Sequence, residues 1–208
     1  MVSIRIIHNM EMQEKTIFTA TPIEGGYSWT ITSLLGTILK DAESLYGERD
    51  RSFNILGVEL CDQEQPQTWY PGGWSGQKDV IIQITKDCET NLKKAIFQVS
   101  HEVIHCLCPK PGRHANVLEE GVATLFSTYE SNKYGTGYHP GSLLYISAME
   151  KVEELLSYDK TIIKKARMME PDISLITKEM LLGFHPSIKD DLLEILLKPF
   201  SEFRLPIG

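Results

Sequence analysis

The hydrophobic positions of the chain fall into two regimes. "VSIRII" (Val2 to Ile7), "FNILGVEL" (Phe53 to Leu60) and "DVIIQIT" (Asp79 to Thr85) are short and rich in β-branched residues, which predicts strands. From Trp29 to Tyr46 the spacing changes. Ile31, Leu34, Leu35, Ile38, Leu39, Ala42 and Leu45 recur at helical intervals, with Gly47 as a stop. Between the second and third strands lies "DQEQPQTWYPGGWSGQK", polar and glycine-rich, with Trp69, Tyr70 and Trp74. That stretch has room for a short edge strand; Pro66 and Pro71 exclude a central one. Its aromatic residues either border a cleft or close the core beneath the loop.

A helix is expected from about Thr90 to Leu107, capped by Thr90 or Asp87 and ended by Pro109. "NVLEEGVATLFSTYES" predicts a shorter helix and "NKYGTGYHPG" an open loop. Helices then follow at about 142–157, 160–168, 175–183 and 187–198. The last is expected to be capped by Ser187, with Asp190 and Asp191 in its first turn and Pro199 at its end. This order predicts an α+β chain with a mixed sheet. It forms one domain of two lobes, α/β over about 1–108 and mainly helical over about 109–208.

Composition narrows the functional classes. With 208 residues and 42% hydrophobic content the chain can fill one sizeable core. A net charge of -7 argues against a general nucleic-acid or anionic-membrane surface. The densest basic groups, Lys93-Lys94 and Lys164-Lys165-Arg167, read as solvated helix faces. No apolar run approaches the length of about 20 residues that spans a bilayer, and "MVSIRIIHNMEMQEK" has no signal-peptide core. Cys61, Cys88, Cys106 and Cys108 do not form a dense disulfide framework, so a reduced, cytoplasmic protein is expected.

The chemistry concentrates in "SHEVIHCLCP" (residues 100–109). His101 and His105 stand one helical turn apart with Glu102 beside the first, the H-E-x-x-H pattern, on a segment that hydrophobic spacing already assigns to a helix. Two imidazoles so placed can reach one zinc ion, and the glutamate faces a zinc-activated water as general base and acid. Cys106 is turned about 100° from His105 and Cys108 lies a turn beyond it, so both read as free thiols rather than ligands. Catalytic zinc needs a third protein ligand. His114, Glu119, Glu120 and His139 are the candidates downstream. The longer pattern H-E-x-x-H-x-x-G-x-x-H is excluded, because Cys108 and Pro111 stand where glycine and histidine would be required.

"LEEGVATLF" (Leu118 to Phe126) resembles the second motif of the gluzincin metallopeptidases, in which a helix after H-E-x-x-H carries a glutamate in an E-G-x-A-like context. The resemblance implies a zincin-like fold, one zinc per chain and Glu120, before the glycine, as third ligand rather than Glu119. It covers the two motif helices closely and the strand-helix-strand-strand arrangement before them more loosely. Some gluzincins carry an aspartate one turn after the ligand glutamate to support a histidine; here Thr124 stands there, leaving a hydroxyl for that task. Ala123, Thr124 and Ser127, in phase with Glu120, are small enough for the helices to approach closely. For the oxyanion of a tetrahedral intermediate, "YGTGYHP" offers Tyr134, Tyr138 and His139, with Tyr138 and His139 as the leading catalytic candidates. The expected function is zinc-dependent hydrolysis of peptide bonds in a peptide or protein substrate. The alternative is a catalytically silent, metal-binding regulatory or interaction module.

Overall fold

A computed structural model describes residues 16–71, 78–112 and 114–205. The expected strand from Val2 to Ile7 and Trp74 lie outside the described residues. A two-residue hairpin, β1 (Pro22–Ile23) and β2 (Gly26–Tyr27), precedes helix α1 (Ile31–Tyr46). Thr30 starts α1 through a reciprocal capping box with Ser33. The periodic face of Ile31, Leu34, Leu35, Ile38 and Ala42 is buried, as its spacing predicts.

Strands β3 (Asn54–Cys61), β4 (Gln67–Trp69) and β5 (Asp79–Thr85) form a mixed sheet in the order β3-β5-β4. β3 runs parallel to β5 and β4 antiparallel to it. The most apolar strand takes the centre, with Val80, Ile82 and Ile84 fully buried. β4, short and hemmed by Pro66 and Pro71, takes the edge.

A 3-10 turn at Lys86–Thr90 leads into α2 (Leu92–His105), whose cap is Asn91, accepting from the Lys94 N–H, rather than Thr90 or Asp87. The turn uses up the residues that spacing alone assigns to the helix start. Asn116 caps α3 (Val117–Lys133) by accepting from the Glu119 N–H. Then come α4 (Leu143–Tyr158), α5 (Ile162–Arg167), α6 (Lys178–Phe184) and α7 (Asp190–Leu196). Ser187 does not cap α7: it lies 3.1 Å from His185 Nδ1, and the cap position is Lys189. The chain is thus α+β, and no helix among the described residues is long and apolar enough to cross a membrane.

Two contacts fix the central helices. A Cβ on Gly121 would stand 2.5 Å from the Ala148 carbonyl oxygen and 2.6 Å from Val152 Cγ2, so only glycine lets α3 lie directly on α4. The second contact is Arg167, which is not on a solvated face. It is 5% exposed, and all five guanidinium N–H groups meet main-chain carbonyls. Nε donates to Pro171 (2.9 Å), Nη1 to Tyr46 and Gly47 (2.7 and 2.9 Å), and Nη2 to Glu48 and Leu107 (3.1 and 3.3 Å). The C-terminal ends of α1 and α2, whose last carbonyls lack helical partners, are tied to one cation.

A less satisfied charge lies on α3. Glu130 is fully buried, its oxygens lack hydrogen bonds among the described residues, and Lys133 Nζ, itself paired with Asp41, stands 3.5 Å away. Burial pushes the Glu130 carboxyl up to about 7.

Arg167→Met strands several buried carbonyls and should lower stability by about 3 kcal/mol, or roughly 6–12 °C in Tm by thermal unfolding. Arg167→Lys should restore only part of this, since an ammonium cannot span the same fork. Glu130 carries more protons folded than unfolded between the ordinary glutamate value of about 4.3 and its raised one, so its contribution to stability falls as pH rises through that window. Glu130→Gln should lessen the loss of urea stability between about pH 5 and pH 7.5, and an unchanged difference would contradict the assignment.

Candidate metal centre

The site is built from the apolar patterning of α2. Ala95, Ile96, Val99, Val103 and Ile104 hold the helix in the core, which carries His101 and Glu102 inward with them. The two imidazole rings lie 5.2 Å apart. His101, Glu102 and His105 each bring a ligand-capable atom within 4.8 Å of the others. Glu120, in the first turn of α3, faces them. Its Oε2 is 3.1 Å from His101 Nε2 and its Oε1 is 3.9 Å from His105 Nε2.

These distances test the fit of a metal. Tetrahedral bonds of about 2.0–2.1 Å separate neighbouring ligand atoms by about 3.3 Å, and the two observed separations bracket that value. Two imidazole nitrogens and a carboxylate are a donor set suited to zinc. The charge also fits, since Glu102, Glu119 and Glu120 crowd two imidazoles in a half-closed space that a divalent cation would balance. The residues therefore fit a zinc ion held by His101, His105 and Glu120.

Glu119 is not a bystander. Its Oε1 lies 2.7 Å from His105 Nδ1, and its Oε2 accepts from the Ser174 hydroxyl. The carboxylate holds the far side of the His105 ring and directs Nε2 toward Glu120. At His105 Nδ1 this place is taken by Glu119 rather than Thr124, whose hydroxyl donates to the Glu120 carbonyl at 2.8 Å within its own helix. Adjacent residues on a helix diverge by about 100°, which lets Glu119 and Glu120 reach opposite nitrogens of one imidazole.

Burial and charge compete at His105, Glu120 and Glu102. Burial opposes protonation of His105, yet the Glu119 hydrogen bond and the charges of Glu120, Glu119 and Glu102 raise it to about 10. Burial pushes Glu120 up, but the His101 hydrogen bond and the neighbouring imidazoles hold it below the usual carboxylate range. For Glu102 burial wins over the imidazoles and the Thr68 hydroxyl, and its carboxyl is raised.

A cleft of about 440 Å³ opens over His101, Glu102 and Glu120, bordered by Phe97, Tyr138 and Tyr145. A smaller space of about 230 Å³ lies on the other side of His105, against Thr68, Tyr70, Cys108 and His114. Tyr138 thus reaches the cleft, its ring 5.2 Å from Phe97. His139 does not: it is exposed, and its neighbours Tyr138 and Pro140 line the wall instead. Tyr134 is buried beside Lys133. His114 is exposed and borders the smaller space, which Glu102, His105 and Glu120 also line. Tyr70 borders that space while Trp69 faces outward, 40% exposed. Cys106 is buried and all four cysteines are unpaired.

Two residues at the site were not anticipated. Tyr145 stands edge-on to His101 with ring centroids 5.7 Å apart, and burial together with Glu120 and Glu102 pushes its phenol well above its ordinary value. Thr68 donates to Glu102 Oε2 at 3.0 Å. The signal for Thr68 was the alternation of "QTW", which turns it inward; Tyr145 gave none beyond its place in the first turn of α4.

No family model, curated protein or solved structure matches the chain.

The purified protein should hold about one zinc per chain by elemental analysis, lost in His101→Ala and His105→Ala and strongly weakened in Glu120→Ala. Glu119→Ala should weaken zinc roughly 10–100-fold through loss of the His105 support, while His114→Ala changes it little. Titration that finds His114→Ala more damaging than Glu120→Ala would contradict the ligand assignment.

Proposed function

We propose that the chain is a zincin-like, zinc-dependent metallopeptidase of the gluzincin type, with His101, His105 and Glu120 as ligands and Glu102 as general base. The observation that carries this reading is the approach of both imidazole Nε2 atoms to one Glu120 carboxylate, with Glu102 buried beside them. When bound, zinc supplies Lewis acidity toward a peptide carbonyl and acidifies water.

The remaining roles belong to the chain's own side chains. Glu102 has a raised carboxyl pKa, which suits a group that must take a proton and later return it to a leaving amine. Tyr145 keeps its phenolic proton and stands at the cleft, which supports it, with Tyr138, as the donor to a developing oxyanion in place of His139. β4 stands at the edge of the sheet among the described residues, which supports it as the strand that an extended peptide would pair with. The four unpaired cysteines support a cytoplasmic location.

Glu102→Gln separates chemistry from binding. The amide keeps the shape of the carboxylate but cannot act as a base at neutral pH. Zinc content and Tm should stay near wild type while turnover of a peptide-library substrate falls by at least about a hundredfold. A Glu102→Gln protein as fast as wild type would remove the base from the mechanism. A wild type that cleaves nothing, yet binds one partner as well as Glu102→Gln does, would make the chain a metal-binding interaction module.

A further inference from the structure

Glu102 is 4% exposed, yet among the described residues it receives a side-chain hydrogen bond from one group, the Thr68 hydroxyl, at 3.0 Å to Oε2. Thr68 is the middle residue of the edge strand β4, opposite Ile82 of β5. Its register is pinned on the other face of the sheet, where Gln67 donates to Gln83 and Gln83 to Glu59, each at 2.6 Å. Alternation along the strand then leaves Thr68 the residue that faces α2. A β-branched side chain has few rotamers, so a pinned strand gives a pinned hydroxyl.

The hydroxyl has one proton and two acceptors in reach. Cys106 Sγ, one turn after Glu102, also lies against Thr68. Sulfur is a weak acceptor and a carboxylate a strong one, so the proton goes to Glu102. A carboxylate on three rotatable side-chain bonds is thereby held by one oxygen, and the other is left for chemistry.

We propose that Thr68 is a positioning residue that aims the Glu102 carboxylate, so that the strand offered to an extended substrate is also the strand that orients the base. The inference rests on the peptidase reading above. It assigns Thr68 no contact with the metal or the scissile bond. Loss of a hydrogen bond to a charged group, together with misplacement of the base, sets the expected effect at about tenfold to a hundredfold in kcat.

Two measurements on the full-length protein test it. The first needs neither metal nor turnover. In protein labelled at glutamate 13Cδ, the Glu102 resonance, identified by its loss in Glu102→Gln, should move in metal-free Thr68→Val and stay in place in Thr68→Ser. The second uses the zinc-loaded protein and a cleavable peptide. Thr68→Val should lower kcat about tenfold or more with KM and zinc content unchanged, and Thr68→Ser should recover at least half of the wild-type kcat. Thr68→Ala replaces Thr68→Val if the latter does not fold.

An unmoved resonance overturns the inference whatever the activity. A cleaving wild type, an inactive Glu102→Gln and a fully active Thr68→Val overturn it while leaving the peptidase reading intact. Equal losses in Thr68→Val and Thr68→Ser overturn it in favour of simple packing. A wild type that hydrolyses no peptide removes the peptidase reading and this inference together.

Discussion

Arg167, which has no ion pair among the described residues, ties the helical half of the chain to the ends of α1 and α2. Arg167 comes from α5, after the last strand and after α2 and α3, and reaches back to carbonyls at the ends of α1 and α2. Helix C-termini present partial negative charge and unpaired acceptors, and a guanidinium supplies both the charge and a planar fork of donors. Carbonyls serve better than a carboxylate in such a place, because all five N–H groups find partners without a second ion being desolvated. The bond to Leu107 falls two residues beyond His105, so the end of the histidine-bearing helix is anchored where a fraying turn would otherwise loosen the site.

From that anchor the placement of the other site residues follows by packing. α2 is fixed at its end by Arg167 and along its length by the core, and α3 packs against it, with the small residues Ala123, Thr124 and Ser127 of α3 fully buried. Gly121 then brings α4 onto the opposite side of α3, and Tyr145 lies one turn before Ala148, the residue that glycine meets. The glycine next to Glu120 therefore acts on the cleft through α4 rather than through the proposed ligand beside it. Bringing α4 close places a protonated phenol at His101.

How much of this was legible in the sequence divides along physical lines. The faces of α1 and α2, the edge strand and the pairing of His101 with His105 follow from periodicity and ligand spacing, which are local properties, whereas Glu120 was expected from the resemblance of "LEEGVATLF" to the gluzincin motif. Arg167 was not legible as a buried group, since it sits among Lys164 and Lys165 and only the meeting of three distant segments gives it acceptors. Ser187 and Thr90 have cap chemistry, but a 3-10 turn before α2 and the contact of Ser187 with His185 moved the helix starts to other residues. The choice of Glu119 over Thr124 as support for His105 depends on a rotation of the ring that spacing does not encode.

The adjacent glutamates show why such a site requires two residues where one ligand is counted. A carboxylate facing His105 Nε2 leaves Nδ1 to find another partner, and a buried ring nitrogen without one carries a desolvation cost. Glu119 meets that nitrogen and is itself held by Asn116, which accepts its main-chain N–H, and by the Ser174 hydroxyl. The cap of α3 and the orientation of a histidine on α2 are thus parts of one hydrogen-bonded chain. A helix that began one residue earlier or later would turn Glu119 and Glu120 by about 100° and lose both contacts at once. The start of α3, set by Asn116, is therefore as much a part of the candidate metal centre as the proposed ligand that follows it.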